Sequence, residues 1–213
     1  MKKYTNHSDD SCETQHGESF DFNNVLNKNA ANNRVVYLWN ELGEEDSLAI
    51  ISQLSYLRSL NNDPIQIVIN SPGGSVDAMY GIVDEVKALQ AEGIIVSTLV
   101  AGSACSAAGV ILAYGTKGYR FARPNSMVML HPMSYSLGYD YSEYQEKLTQ
   151  FLKKKSDKLN RDIAEALGIK GEKNFKKFIS QVDKGLWLSA EEAVTIGAVD
   201  KIYTKPIQRL KGK

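Results

Sequence analysis

The chain has 213 residues, of which 43% are apolar, with 25 Lys+Arg against 25 Asp+Glu, which suits one domain with a substantial core or one domain with an appendage. The balanced charge gives no argument for nucleic acid or an anionic membrane as a partner, and no apolar run approaches the ~18 residues of a spanning helix. The first ten residues lack the apolar stretch of a secretion signal, and Cys12 and Cys105, the only cysteines, form no disulfide framework, so a reduced, cytoplasmic setting is expected.

Residues 1–33 are rich in Asn, Asp, Ser and Glu and read as a flexible polar extension, with Phe20, Phe22, Val25 and Leu26 as its apolar spots. Val35–Trp39 reads as the first core strand. Glu44, Glu45 and Asp46 then open a helix over about 45–60, carried by Leu48, Ile51, Leu54 and Leu57 and stopped by Asn61-Asn-Asp-Pro64. Ile65–Asn70 is a second strand, and the turn Ser71-Pro-Gly-Gly74 delivers the chain into a helix marked by Val76, Met79, Ile82, Val83, Val86 and Leu89. Ile94–Val100 is a third strand. The small-residue run Ala101–Gly109 leads into an apolar segment that reads as a buried helix. Short strands are expected at Tyr119–Ala122 and Met127–His131, around a turn at Arg123–Ser126. A long amphipathic helix covers about 141–168, with Tyr141, Tyr144, Leu148, Leu152, Leu159, Ile163 and Leu167 on one face. Phe175, Phe178 and Ile179 suggest a short helix, Ser189 an N-cap for a last helix, and Val199–Tyr203 a closing strand. Strand and helix alternate, which predicts an α/β fold with a parallel sheet.

There is no phosphate-binding loop, paired-cysteine zinc spacing, His-Glu-x-x-His or Gly-x-Ser-x-Gly in the chain. Neither a metal nor a cofactor is implied. Gly73 and Gly74 lack a Cβ, so the main-chain N–H groups of their turn can approach a developing negative charge. Ser103, Cys105 and Ser106 are nucleophile candidates at the start of a helix. Of the three histidines, His7 and His16 lie in the extension, so a histidine base would be His131, at a strand end. Each feature alone also fits ordinary packing. An oxyanion donor, a nucleophile and a base at successive strand ends are what acyl transfer needs.

Four stretches then resemble the proteolytic subunits of the Clp (caseinolytic) protease family. They are Ile69–Val76, Gly102–Gly109 running into Gly115–Gly118, Pro124–His131 and Leu188–Asp200, in the family's order and spacing across about 34–204. The resemblance implies a crotonase-like ββα superhelix with a protruding handle helix, here about 141–168, and a C-terminal tail at 205–213. It implies a serine endopeptidase that cleaves unfolded proteins or peptides inside a chamber, built from heptameric rings or a stacked double heptamer, with an unfoldase ATPase as a possible partner. Carried over by position, it makes Ser106 the nucleophile, His131 the general base, and the N–H groups of Gly74 and Ala107 the oxyanion donors. Extended peptide would add as a strand near 74–77 and 132–136.

The chain departs from the pattern at the triad acid, whose position holds Gly185. Asp183, two residues earlier, is the candidate third member; a Ser–His dyad and a damaged site are the other readings. Asp183 and Lys184 also suit a contact between rings. Pro132–Gly138 replaces the family's usual stretch after the histidine, and residues 1–33 match nothing recognisable in it. Two other functions stay open: a weak or inactive ring subunit with a structural role, and a crotonase-type acyl-CoA enzyme, which would need carboxylates at its site.

Overall fold

The computed structural model describes residues 22–134, 142–207, 209 and 210. His7, Cys12 and His16, most of the expected extension, and residues 135–141 lie outside them. The elements in order are α1 (Phe22–Asn33), β1 (Val35–Leu38), α2 (Glu44–Leu60), β2 (Ile65–Ser71), α3 (Val76–Ala91), β3 (Val96–Cys105) and α4 (Ala107–Ala113). The second half of the chain adds β4 (Arg120–Ala122), β5 (Met127–Leu130), α5 (Ser142–Ala166), α6 (Glu172–Val182), β6 (Leu186–Ser189), α7 (Ala190–Ile196) and β7 (Lys201–Ile202).

The sheet runs β1-β2-β3-β4-β7, and every neighbouring pair along that path is parallel. It forks at β3. The first half of that strand pairs β4 through Thr98–Val100, and its far end pairs β5 through Ser103–Cys105. Beyond β5 the rule of parallel pairing ends, because β6 is antiparallel to β5, with Met127 opposite Ser189 and Leu130 opposite Leu186. The sheet is therefore mixed, where strand–helix alternation predicts a parallel one. Two helices, α5 and α6, separate β5 from β6, and the crossover rule does not govern such a connection.

Two more expectations change. The small residues Ala101–Cys105 continue β3 instead of opening the helix. Their backbone groups pair with β2 and β5, and the Asn70 side chain accepts from the Ser103 N–H at 3.0 Å, so an extended conformation leaves little unsatisfied. Phe22–Asn33 is helical where an extension without fixed structure is expected. Ala30 and Ala31 are strong helix formers, which outweighs the surrounding Asn residues.

Helices α2, α3 and α4 pack on one sheet face around Leu54, Ile67, Ile69, Met79, Val83, Val86 and Ile111, all at or near zero exposure. The other face holds Val35, Val68, Leu99 and Phe121, against which Tyr203 and Ile207 of the C-terminal segment pack. That segment is fastened by Arg123, which donates to the Tyr203 and Lys205 carbonyls at 3.1 and 2.5 Å, and by Arg209 to Asp63 at 2.6 Å. Arg34, only 2% exposed, gathers the carbonyls of Leu57, Asn61, Asp63 and Pro64 at 2.8–3.2 Å and so seals the end of α2. The buried Arg120 pairs with Asp200 at 2.7 Å and joins β4 to the last strand. Burial alone would raise the Asp200 carboxyl, but hydrogen bonds from the Arg120 side chain and backbone and the Gly118 N–H outweigh it and hold the group below the usual carboxylate range.

Candidate active site

Three neighbouring parallel strands, β2, β3 and β5, end on one edge of the sheet. Each strand hands the chain to one piece of the site: β2 to the turn Pro72-Gly-Gly-Ser75, β3 to Ser106, and β5 to His131.

Ser106 occupies a sharp turn between β3 and α4, with φ 54° and ψ −124°. Only Ser106 and Arg34 combine a side chain with positive φ among the described residues. Such a conformation costs about 1–3 kcal/mol and persists only where neighbours hold it. Here the Ser106 N–H donates to the Met129 carbonyl at 2.7 Å, and the Ser106 carbonyl accepts from Val110 N–H at 3.2 Å. Ala107, the first residue of α4, contributes one of the N–H groups that a helix leaves without an internal acceptor.

The glycine turn lies directly against this serine. A Cβ on Gly73, at φ 94°, would stand 2.6 Å from the Cys105 carbonyl oxygen, 2.7 Å from Ser106 Cβ and 2.9 Å from Ala107 N. A Cβ on Gly74 would stand 2.2 Å from the Leu42 carbonyl oxygen. Only glycine lets these backbones approach so closely. The Leu42 N–H donates to the Gly73 carbonyl and the Ser75 N–H to the Leu42 carbonyl, both at 2.8 Å. Among the described residues, the Gly74 N–H makes no hydrogen bond.

Gly74, Ser106, Ala107 and His131 line one small cavity of about 60 Å³, closed by Val76, Leu130 and Met133 and, from α5, Leu159 and Ile163. Among the described residues, no Asp or Glu lines it. Ser106 and His131 are both partly exposed, and among the described residues no hydrogen bond joins them. Asp183 is not brought to the cavity: it caps the C-terminal end of α6 and is exposed. The β5–β6 ladder ends at Leu130 opposite Leu186; continued by one residue, the same register would set His131 opposite Gly185, which has no side chain to offer.

The other two nucleophile candidates have different surroundings. Burial pushes the Cys105 thiol up, against a weaker opposing hydrogen bond from Ser103, and so disfavours the thiolate. The Ser103 hydroxyl and N–H both donate to Asn70 Oδ1, at 3.3 and 3.0 Å. Among the described residues, no cluster of three His, Cys, Asp or Glu could hold a metal. The part of the site that sequence reasoning missed is its back wall, Leu42 and α5. No local pattern announces a residue that contributes only a backbone pair or a methyl surface from far along the chain.

Comparison with known proteins gives the family. The profile of the family described as Clp protease matches residues 17–206. ATP-dependent Clp protease proteolytic subunit 2 of Prochlorococcus marinus (strain MIT 9312) is 35% identical over 175 residues, which cover 81% of this chain and 82% of the relative. Subunit 3 of Synechococcus sp. (strain CC9902) is 33% identical over 82% of this chain and 84% of its own length. The ATP-dependent Clp protease proteolytic subunit of Leuconostoc citreum (strain KM20) is 33% identical over 88% of this chain and 90% of the relative. No helix among the described residues is long and apolar enough to cross a membrane. The chain belongs to the Clp protease family, a family of serine peptidases.

Proposed function

We propose that the chain is a serine endopeptidase subunit that cleaves unfolded polypeptides through an acyl-enzyme on Ser106. The observation that carries this reading is the shared cavity of Gly74, Ser106, Ala107 and His131. Ser106 Oγ attacks the scissile carbonyl while His131 takes the hydroxyl proton. The oxyanion is held by the N–H groups of Gly74 and Ala107, each worth about 3 kcal/mol of barrier in such sites. The tetrahedral intermediate expels the amine, which leaves with the proton from His131. Water then adds to the ester, again with His131 as base, and releases the acid and free Ser106. Substrate adds as an extended strand beside 74–77 and the segment after His131, of which 132–134 are described.

Assembly into heptameric rings, stacked in pairs, suits α5. Its C-terminal half buries Leu159 and Ile163 in the core, while Tyr144 and Phe151 stand 57% and 60% exposed on the other half. An amphipathic helix with that stripe uncovered needs a second chain, and the ring-to-ring contact supplies one. An ATPase that unfolds and feeds substrate is the partner that a closed chamber calls for.

A second reading is favoured by one observation, a cavity beside His131 that no Asp or Glu lines among the described residues. Without such a carboxylate, the subunit would be a weak peptidase or a structural member of the ring. An acyl-CoA enzyme loses ground for the same reason, since its chemistry needs carboxylates at this position. Intact-mass labelling with a fluorophosphonate separates the two main readings. One adduct on the wild-type chain, absent from Ser106→Ala and His131→Ala, is expected for the peptidase. An unlabelled wild-type assembly would overturn that reading.

A further inference from the structure

We propose that Ser71 is a positioning residue for the oxyanion donor, an inference that rests on the peptidase reading of the same site. Ser71 ends β2 and is fully buried, at 0% exposure. Its hydroxyl makes two bonds at once. It donates to the Asn40 carbonyl at 2.5 Å and accepts from the Gly73 N–H at 3.1 Å. The first bond ties it to the connection between β1 and α2, and the second ties it to the glycine turn two residues on.

The geometry of the peptide unit turns this clamp into an aim. Gly73 C=O and Gly74 N–H belong to one planar trans peptide, so they point in opposite directions. The Leu42 N–H holds the Gly73 carbonyl at 2.8 Å, which directs the Gly74 N–H away from Leu42. Ser71 fixes the preceding peptide, whose N–H is that of Gly73. Two consecutive peptide planes are thus set by the 40–42 segment, one through a backbone bond and one through the Ser71 hydroxyl. Gly74 lines the same cavity as Ser106, and among the described residues nothing accepts its N–H, which leaves that donor to a ligand. An oxyanion hole gains its effect from donors aimed before charge develops, so a looser turn weakens the transition state more than the bound substrate.

The test compares Ser71→Ala with wild type on a fluorogenic peptide, a peptidyl boronate and the free product peptide. The boronate forms a tetrahedral adduct with the serine and reports on the same donors as the transition state. The expected result is a fall of about tenfold to a hundredfold in kcat/KM, carried by kcat. The boronate should weaken by the same factor, and KM and product affinity should stay within about twofold. Ser71→Thr and Ser71→Val repeat the comparison at constant shape if the alanine variant does not fold; threonine keeps both bonds and should be the more active by the same factor. Equal kcat and boronate affinity for the hydroxyl-bearing and hydroxyl-lacking variants would overturn the role of Ser71 while leaving the peptidase reading intact. A wild-type protein inert to fluorophosphonate, boronate and peptide would overturn both.

Discussion

Gly185→Asp is expected to raise the activity of this protein. The β5–β6 ladder pairs Met127, Val128, Met129 and Leu130 with Ser189, Leu188, Trp187 and Leu186, and the same register continued by one residue would set position 185 opposite His131. Directly opposed residues on antiparallel strands have Cβ atoms ~4.5–5.5 Å apart, a span that an aspartate side chain and an imidazole close with one hydrogen bond. Room exists, because the nearest atom to a Cβ added at Gly185 is Trp187 Nε1 at 3.5 Å, an ordinary contact. The cost lies in the backbone. Gly185 has φ 77°, where a side chain costs about 1–2 kcal/mol, although aspartate is among the residues that visit this region most readily. Losing an orienting acid from a complete triad costs about 10⁴ in kcat. An acid installed without evolved support should recover part of that, about 10–10³-fold, with a melting temperature a few degrees lower. Peptide turnover and the rate of fluorophosphonate labelling on the assembled protein measure both. Gly185→Asn carries the same backbone cost without the charge and should show the stability loss alone. If Gly185→Asp folds and assembles but labels no faster than Gly185→Asn, then His131 does not draw its orientation from across this ladder, and the reasoning fails.

Gly73→Ala should slow Ser106 labelling by at least about 10²-fold, since its Cβ would meet the Cys105 carbonyl at 2.6 Å and Ser106 Cβ at 2.7 Å; a wild-type labelling rate would contradict the close approach. Arg34→Met should lower stability by about 2–4 kcal/mol in a urea melt, because the carbonyls of Leu57, Asn61, Asp63 and Pro64 lose their donors. Asp200→Asn should change the acid limb of the stability curve. The Asp200 carboxyl lies below its ordinary value of 3.8 in the folded chain, so its contribution is full above about pH 4 and is lost as pH falls through the folded value. The wild type should therefore lose its margin over Asp200→Asn on acidification, as melting temperatures between about pH 7 and pH 2 would reveal. Removing residues 203–213 takes away Tyr203 and Ile207, and should raise the binding of a hydrophobic dye to the face formed by Val68, Leu99 and Phe121. Unchanged dye binding would mean that the segment does not cover that face in solution.

Much of the fold is legible in the sequence, because the physics that builds those parts is local. The apolar β-branched run Ile65–Asn70 is a strand with nearly every side chain buried. Ser189 caps α7 by accepting from the Glu192 N–H, while Glu192 accepts in return from the Ser189 N–H at 2.8 Å, a reciprocal pair that Ser-x-x-Glu announces. What is not legible depends on pairing. Ala101–Cys105 looks like the lead-in to a helix until β5 is known to lie beside it. The strained turn at Ser106 has no glycine signature of its own; the Met129 carbonyl accepts its N–H, and the glycine that makes room for it, Gly73, lies on another strand end.

The same distinction explains why the site itself divides as it does. Parallel strands place all their carboxyl ends on one edge, so β2, β3 and β5 deliver the glycine turn, Ser106 and His131 to a common place from three separate local motifs. Each of those motifs can be read in isolation, and together they form a site only because the strands are neighbours. A group that orients His131 would have no such origin if it came from β6: that strand runs antiparallel, so the residue that reaches this edge is the one before the strand begins. A loop entry such as Gly185 is free to vary without disturbing the sheet, whereas the turn after β2 and Ser106 after β3 are pinned by the contacts of Leu42 and Met129. The three parts held by the sheet are therefore present and gathered on one cavity. A fourth part, a carboxylate beside His131, would hang on the end of an edge strand, where this chain has Gly185.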